Sequence, residues 1–223
     1  MLISSWIKKF LPLFMGVLIS PMTSLATTNN DTNGWYGFFN KSNIQGNFSW
    51  WTETQLRYNM DAEEMGQTLV RTGLLMAIDG SQYKSEFGLL YGYINTGLVK
   101  EHRFALQHSM AYLGFLEGFS HRIRYEFRTL EQGGAPSNRF RYLLRYQGPE
   151  ICSNSKLVIW DEVFLNTEEG NTDETAHLDR NRFFAGLRIP FENMNMEVGY
   201  LNQLVPRNTG TQMDHVATVY MFF

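Results

Sequence analysis

Residues 119–147, FSHRIRYEFRTLEQGGAPSNRFRYLLRYQ, restrict the possible folds more than any other stretch of this 223-residue chain. Arg122, Arg124, Glu126 and Arg128 alternate with Ile123, Tyr125 and Phe127. Further on, Arg139, Arg141 and Arg145 alternate with Phe140, Tyr142, Leu144 and Tyr146. A period of two sends successive side chains to opposite faces of a β-strand. The intervening EQGGAPS carries turn chemistry, so the runs predict an antiparallel hairpin with one apolar and one guanidinium-rich face. In a water-soluble β-protein the apolar face is core and the arginines meet solvent. In a membrane barrel the apolar face meets lipid and the arginines point into the lumen.

The two ends of the chain favour the barrel. Residues 1–26 read as a secretory signal. Lys8 and Lys9 form a basic start, 10–20 an apolar core, and Ser24-Leu25-Ala26 a small-residue cleavage site, so the mature domain is predicted at 27–223. Without Lys8 and Lys9, 17 of the 19 basic residues remain against 22 acidic ones, a net charge of −5 that excludes a nucleic-acid-binding balance. Mean hydropathy is −0.28 and no later run is apolar enough for a spanning helix, so a membrane reading requires strands. The aromatic content of 15% suits the interfacial girdles of such a barrel. The last segment, HVATVYMFF, alternates and ends on Phe223. It resembles the sorting signal read by the outer-membrane assembly machinery.

Strand candidates follow one another with turn signals between them: 34–41, 48–58, 68–78, 86–94, 102–112, the arginine hairpin, 157–165, 180–189, 194–204 and 215–223. The prediction is an all-β, transmembrane, antiparallel up-and-down barrel of about ten strands, with twelve as the alternative. Counting back from a periplasmic last residue puts 59–67, 95–100, 131–137, 167–178 and 205–214 outside the cell. It puts 79–84, 113–118, 148–155 and 190–193 inside. The run around Trp35 is then an odd eleventh segment that either lines the lumen or pairs at the seam. Asp161 and Glu162, neighbours on one strand, predict one acid at an interface or a bulge.

Turning the hairpin's charges toward lipid would cost about 2–4 kcal/mol for each residue near mid-membrane, so they are predicted to face inward. The predicted lumen set is Arg57, Arg71, Arg122, Arg124, Glu126, Arg128, Arg139, Arg141, Arg145, Glu162, Arg182, Arg188 and Glu197. Six arginines on two neighbouring strands repel one another, and an unpaired charge inside a narrow barrel is expensive. Glu126 on the hairpin, with Glu53, Glu86, Asp161 or Glu162, and Glu197, can neutralise them as an ion network that holds the barrel shut. The other reading is an anion site, in which a small anionic solute supplies the missing charge through guanidinium forks.

Other chemistry is thin. His108-Ser109 and Ser120-His121 are sequence neighbours, so each pair points to opposite faces and forms no dyad; a Ser–His pair from different strands stays open as the lipid-hydrolase alternative. The five histidines lack metal-ligand spacing, and the acidic loop at 168–174 lacks the calcium-loop pattern. Cys152 reads as an unpaired thiol. No cofactor and no catalytic residue is predicted.

Trp35, the runs Arg122-Ile123-Arg124-Tyr125-Glu126-Phe127-Arg128 and Arg139-Phe140-Arg141-Tyr142-Leu143-Leu144-Arg145-Tyr146-Gln147, then Asp161-Glu162-Val163-Phe164-Leu165-Asn166, Asn181-Arg182-Phe183-Phe184-Ala185-Gly186 and Gly199-Tyr200 together resemble the bacterial barrel family catalogued as domain of unknown function 2490. The resemblance covers the mature chain. It departs at Glu101-His102-Arg103, where Asn is expected in the middle, and at Arg180, where Gln is usual. It implies an outer-membrane barrel and brings no activity with it. The resulting expectation is a non-enzymatic barrel, exported through the general secretory pathway to the outer membrane. It would be bathed in lipid and lipopolysaccharide and would be either a closed structural barrel or a narrow pore for small anions. A soluble periplasmic β-protein is the remaining alternative.

Overall fold

The structure, a computed structural model, describes residues 27–59, 63–152, 154–167, 178–207 and 210–223, with side chains from Asp31 onward and excepting that of Cys152. The expected signal segment, the acidic loop, His177 and the Cys152 thiol lie outside the described residues.

Eleven strands close into a single barrel. They are β1 (Thr27–Gln45), β2 (Phe48–Asn59), β3 (Glu64–Ala77), β4 (Tyr83–Asn95), β5 (Lys100–Tyr112), β6 (Phe119–Leu130), β7 (Ser137–Cys152), β8 (Ser155–Asn166), β9 (Leu178–Pro190), β10 (Asn195–Arg207) and β11 (Gly210–Phe222). Each pairs antiparallel with the next, and a single 3-10 turn at Gly114–Leu116 is the one helical element among the described residues.

The count corrects the expected ten, or twelve. In a meander every sequential pair is antiparallel, so an odd number of strands can close only through one parallel pair. That pair is β1 with β11, in register from Asn29↔Gln212 to Phe39↔Phe222. The Trp35 run is therefore not a short segment but the middle of a 19-residue strand that forms the seam. Thr27 consequently sits beside Thr211 at one end of the barrel, while Phe222 sits at the other. The strands also run further than their alternation suggested. The expected turns at 59–67, 148–155 and 205–214 shrink because flanking polar residues continue the ladders.

The two faces separate as the period requires. On β3, Leu69, Arg71 and Leu75 are buried while Val70, Leu74 and Met76 are exposed; on β6, Arg124 and Glu126 are buried while Ile123, Tyr125 and Phe127 are exposed. A one-residue slip would invert each set, so the buried charges fix the register as firmly as the apolar residues do. The outer surface is correspondingly greasy, with Leu89 and Leu106 facing each other across β4 and β5 at 63% and 60% exposure.

Inside, the wall has two halves. Strands β1 and β8–β11 contribute an apolar cluster of Trp35, Val158, Trp160, Phe184, Leu201, Val216 and Tyr220. Strands β2–β9 contribute most of the ionic groups. Gly186 and Gly199 face each other across β9 and β10, and the Phe184 ring lies over both, stacked on Trp160 at 5.1 Å.

Candidate functional site

A cavity of about 630 Å³ occupies the interior between these halves. Twelve arginines line it against four glutamates, Glu53, Glu101, Glu162 and Glu197. Glu126 and Asp179, fully enclosed beside Arg139, add two more carboxylates. Asp31 and Asp214 accept from Gln212, and Asp214 also from Gln203, rather than from an arginine.

The centre of the network is Glu126, placed by the β6–β7 hairpin. Register sets Arg124 directly opposite Arg141 and Glu126 opposite Arg139. Like charges facing one another would weaken the pair, and the diagonal carboxylate relieves this. Arg139 donates to Glu126 from Nε at 3.1 Å and Nη2 at 2.6 Å, and Arg141 donates from Nη1 at 2.7 Å. Arg141 also reaches Glu162 through Nε at 3.1 Å and Nη2 at 2.8 Å, and Arg122 shares that carboxylate at 2.8 Å. Arg139 extends the chain to Asp179 at 2.8 Å, which also takes Arg180.

Three satellite clusters surround this centre. Arg71 pairs with Glu53 at 2.6 Å. Arg103 and Arg128 share Glu101 at 2.7 and 2.5 Å. Arg145 and Arg188 share Glu197 at 2.6 and 2.5 Å. Buried pairs of this kind are poor sources of net stability, since desolvation offsets most of the attraction, but they hold geometry tightly.

Three of the twelve guanidiniums lining the cavity have no carboxylate within hydrogen-bond distance among the described residues. Arg124 donates from Nε and Nη2 to Gln107 and keeps Nη1 3.7 Å from Glu126, with no acceptor in hydrogen-bond range. Arg57 donates to Gln55 at 3.2 Å and leaves Nε without an acceptor. Arg182 donates from Nε to Gln203 at 2.8 Å. Arg57 and Arg182 pack on the ring of Trp35, at 4.0 and 4.8 Å from its centre.

All thirteen expected interior residues thus fall inside the barrel, with Arg57 and Arg182 outside the ion-paired set and Arg124 joined to it only by the 3.7 Å approach to Glu126. Glu86 is a correction, for its partner is Lys41 on β1 and not an arginine. Of the neighbouring acids, Asp161 takes the outward face in unbroken register, so the bulge alternative does not hold there, and Asn181 Nδ2 donates to both its oxygens at 3.0 and 3.2 Å. The sequence reading left Glu101, Arg103, Asp179 and Arg180 out of the set. The first two share the alternation of Gln107, and that signal could have found them. Arg180 opens the strand expected at 180–189 and shares the period of Arg182 and Arg188, whereas Asp179 falls at the register shift between β8 and β9, where the period breaks.

A Ser–His pair does form between strands, with Ser85 Oγ 2.8 Å from His108 Nε2 on the outward face. Its setting is shared by Tyr91–His102, Tyr112–His121 and Tyr200–His215, each an outward histidine met by a hydroxyl from the adjacent strand. Ser85 is only 3% exposed, and its strand's backbone is committed to ladders on both sides. A nucleophile needs access and free amide donors for the developing oxyanion, and this pair has neither.

No solved structure matches the chain. An uncharacterised protein of Methylorubrum extorquens is 31% identical over 107 residues, which is 46% of this chain and 47% of that protein. The chain thus spans about half the length of that relative. Residues 32–214, which hold all of the ion network, match the model described as protein of unknown function DUF2490, and the chain belongs to that family.

Proposed function

We propose that this protein is a bacterial outer-membrane β-barrel whose arginine-rich interior forms a narrow pore for small anions. The observation that carries the reading is the surplus of guanidinium groups around the cavity, with Arg57, Arg124 and Arg182 each lacking a hydrogen-bonded carboxylate. A barrel built only to be held shut would do better with matched charges, because each uncompensated buried cation costs stability.

The membrane setting is supported by the outward apolar faces of the strands. We read the barrel as non-enzymatic, since the outward Ser85–His108 pair lacks the access that acyl transfer needs. Export to the outer membrane would place its surface in lipid and lipopolysaccharide.

Planar-bilayer recording of the purified protein tests the pore. Under a salt gradient the reversal potential is expected to mark preference for chloride over potassium. A barrel that inserts without conducting, or that prefers cations, defeats the pore reading. Sedimentation with the inner membrane or soluble fraction, and no mobility difference between boiled and unboiled samples, defeats the outer-membrane reading.

A further inference from the structure

We propose that Trp35, Arg57 and Arg182 form a binding site for a doubly charged, phosphate-type oxyanion carried by a small water-soluble solute. The proposal rests on the reading of the interior as anion-accepting, and narrows it to one place and one ligand chemistry.

Two cations share this place without an anion. Arg57 meets only the amide oxygen of Gln55, and Arg182 only that of Gln203. Arg57 Nε is enclosed and has no acceptor. Arg182 is 8% exposed, held between Trp35 and Phe164 at 4.8 and 4.7 Å from the ring centres. The ring faces position each guanidinium while leaving N–H groups free for an anion. Trp35 itself is anchored in the apolar cluster of β1 and β8–β11, so the platform is rigid before any ligand arrives.

The charge count selects the ligand. A single-charge carboxylate or halide would leave one guanidinium uncompensated. A tetrahedral dianion balances both and has enough oxygens for two planar forks. A phospholipid headgroup is a poor source, because its acyl chains would have to cross a hydrogen-bonded barrel wall. The cavity is larger than inorganic phosphate needs, which leaves room for the rest of a phosphorylated solute.

The test is isothermal titration of the purified, detergent-solubilised barrel with sodium phosphate at mildly alkaline pH, with sodium acetate in parallel at constant ionic strength. One saturable phosphate per chain is expected, with acetate weaker by about tenfold or more. Arg57→Gln and Arg182→Gln should each weaken phosphate by about tenfold or more, while Lys84→Gln at an exposed strand end leaves it unchanged. Neither arginine has a carboxylate to orphan, so both variants should keep the wild-type thermal midpoint or exceed it, which shows that they fold. No phosphate binding, equal binding of acetate, or undiminished binding by both variants overturns the site. If bilayer selectivity for anions persists in that case, the pore reading survives; if selectivity is absent too, both fall.

Discussion

Arg139 donates two hydrogen bonds to one oxygen of Glu126, at 3.1 and 2.6 Å, and neither side chain reaches solvent. The same carboxylate accepts from Arg141, so one glutamate neutralises cations from two positions on the facing strand. Glu126→Gln keeps the shape and removes the charge. Leaving Arg139 and Arg141 short of their shared counter-charge should destabilise the barrel by about 3–5 kcal/mol. Urea unfolding of the refolded protein, followed by tryptophan fluorescence, measures this. A change within a few tenths of a kcal/mol would mean that Glu126 does not hold the network together.

Arg124 and Arg141 stand opposite each other on β6 and β7, yet their roles differ. Arg141 bridges two carboxylates, whereas Arg124 relies on Gln107. Arg141→Ala is therefore expected to cost about 1.5–3 kcal/mol, because Glu126 keeps Arg139 and Glu162 keeps Arg122 while both lose the hydrogen bonds from Arg141. Arg124→Ala strands no carboxylate, since Glu126 keeps Arg139 and Arg141, and should leave stability nearly unchanged while lowering the anion preference of the proposed pore. Unfolding midpoints and reversal potentials on both variants check the contrast. Equal destabilisation by the two would erase the distinction between a guanidinium hydrogen-bonded to carboxylates and one hydrogen-bonded to an amide.

How much of this the sequence disclosed depends on the scale of the interaction. Alternation within a strand is local, so the inward placement of Arg71, Arg124, Glu126 and Arg182 was legible. Partner choice is set by stagger between strands. That is why Glu86 was expected among the arginines but meets Lys41, and why Arg57 ends without a carboxylate. The start of β1, with Thr32, Asn33 and Gly34, has no alternation to read. Its pairing with β11 rests on closure of the whole barrel rather than on any residue in it. The bulge alternative at Asp161 failed for another reason: a strand tolerates an outward acid without a bulge when a neighbour such as Asn181 supplies two donors.

Gly186 and Gly199 allow β9 and β10 to carry the Phe184 ring flat against their backbones. A Cβ on Gly199 would come within 2.5 Å of Ala185 O and 2.7 Å of the Phe184 ring. Gly199→Ala must push that ring off Trp160 or bend the ladder, and overpacking of this kind costs about 1–3 kcal/mol. The variant should unfold at lower urea, with a shifted near-ultraviolet signal from the displaced Trp160–Phe184 stack. An unshifted spectrum at wild-type stability would contradict this packing.

Leu89 and Leu106 form an outward pair in mid-strand, and their fate under substitution separates lipid from water around the barrel. In water, replacing an exposed leucine by arginine is nearly free, and the change even removes apolar surface. In the membrane setting proposed above, a guanidinium at that level costs about 2–4 kcal/mol. Leu106→Arg is thus expected to lower the stability of the barrel in liposomes by that amount. The loss should shrink in denaturant titrations of detergent-held protein, where polar headgroups can reach the site. Phe48→Arg, at the end of β2, should cost less, because the penalty falls toward the interfaces. A barrel that accepts Leu106→Arg without loss in liposomes, and remains soluble without detergent, would place these leucines in water and remove the ground for the membrane reading.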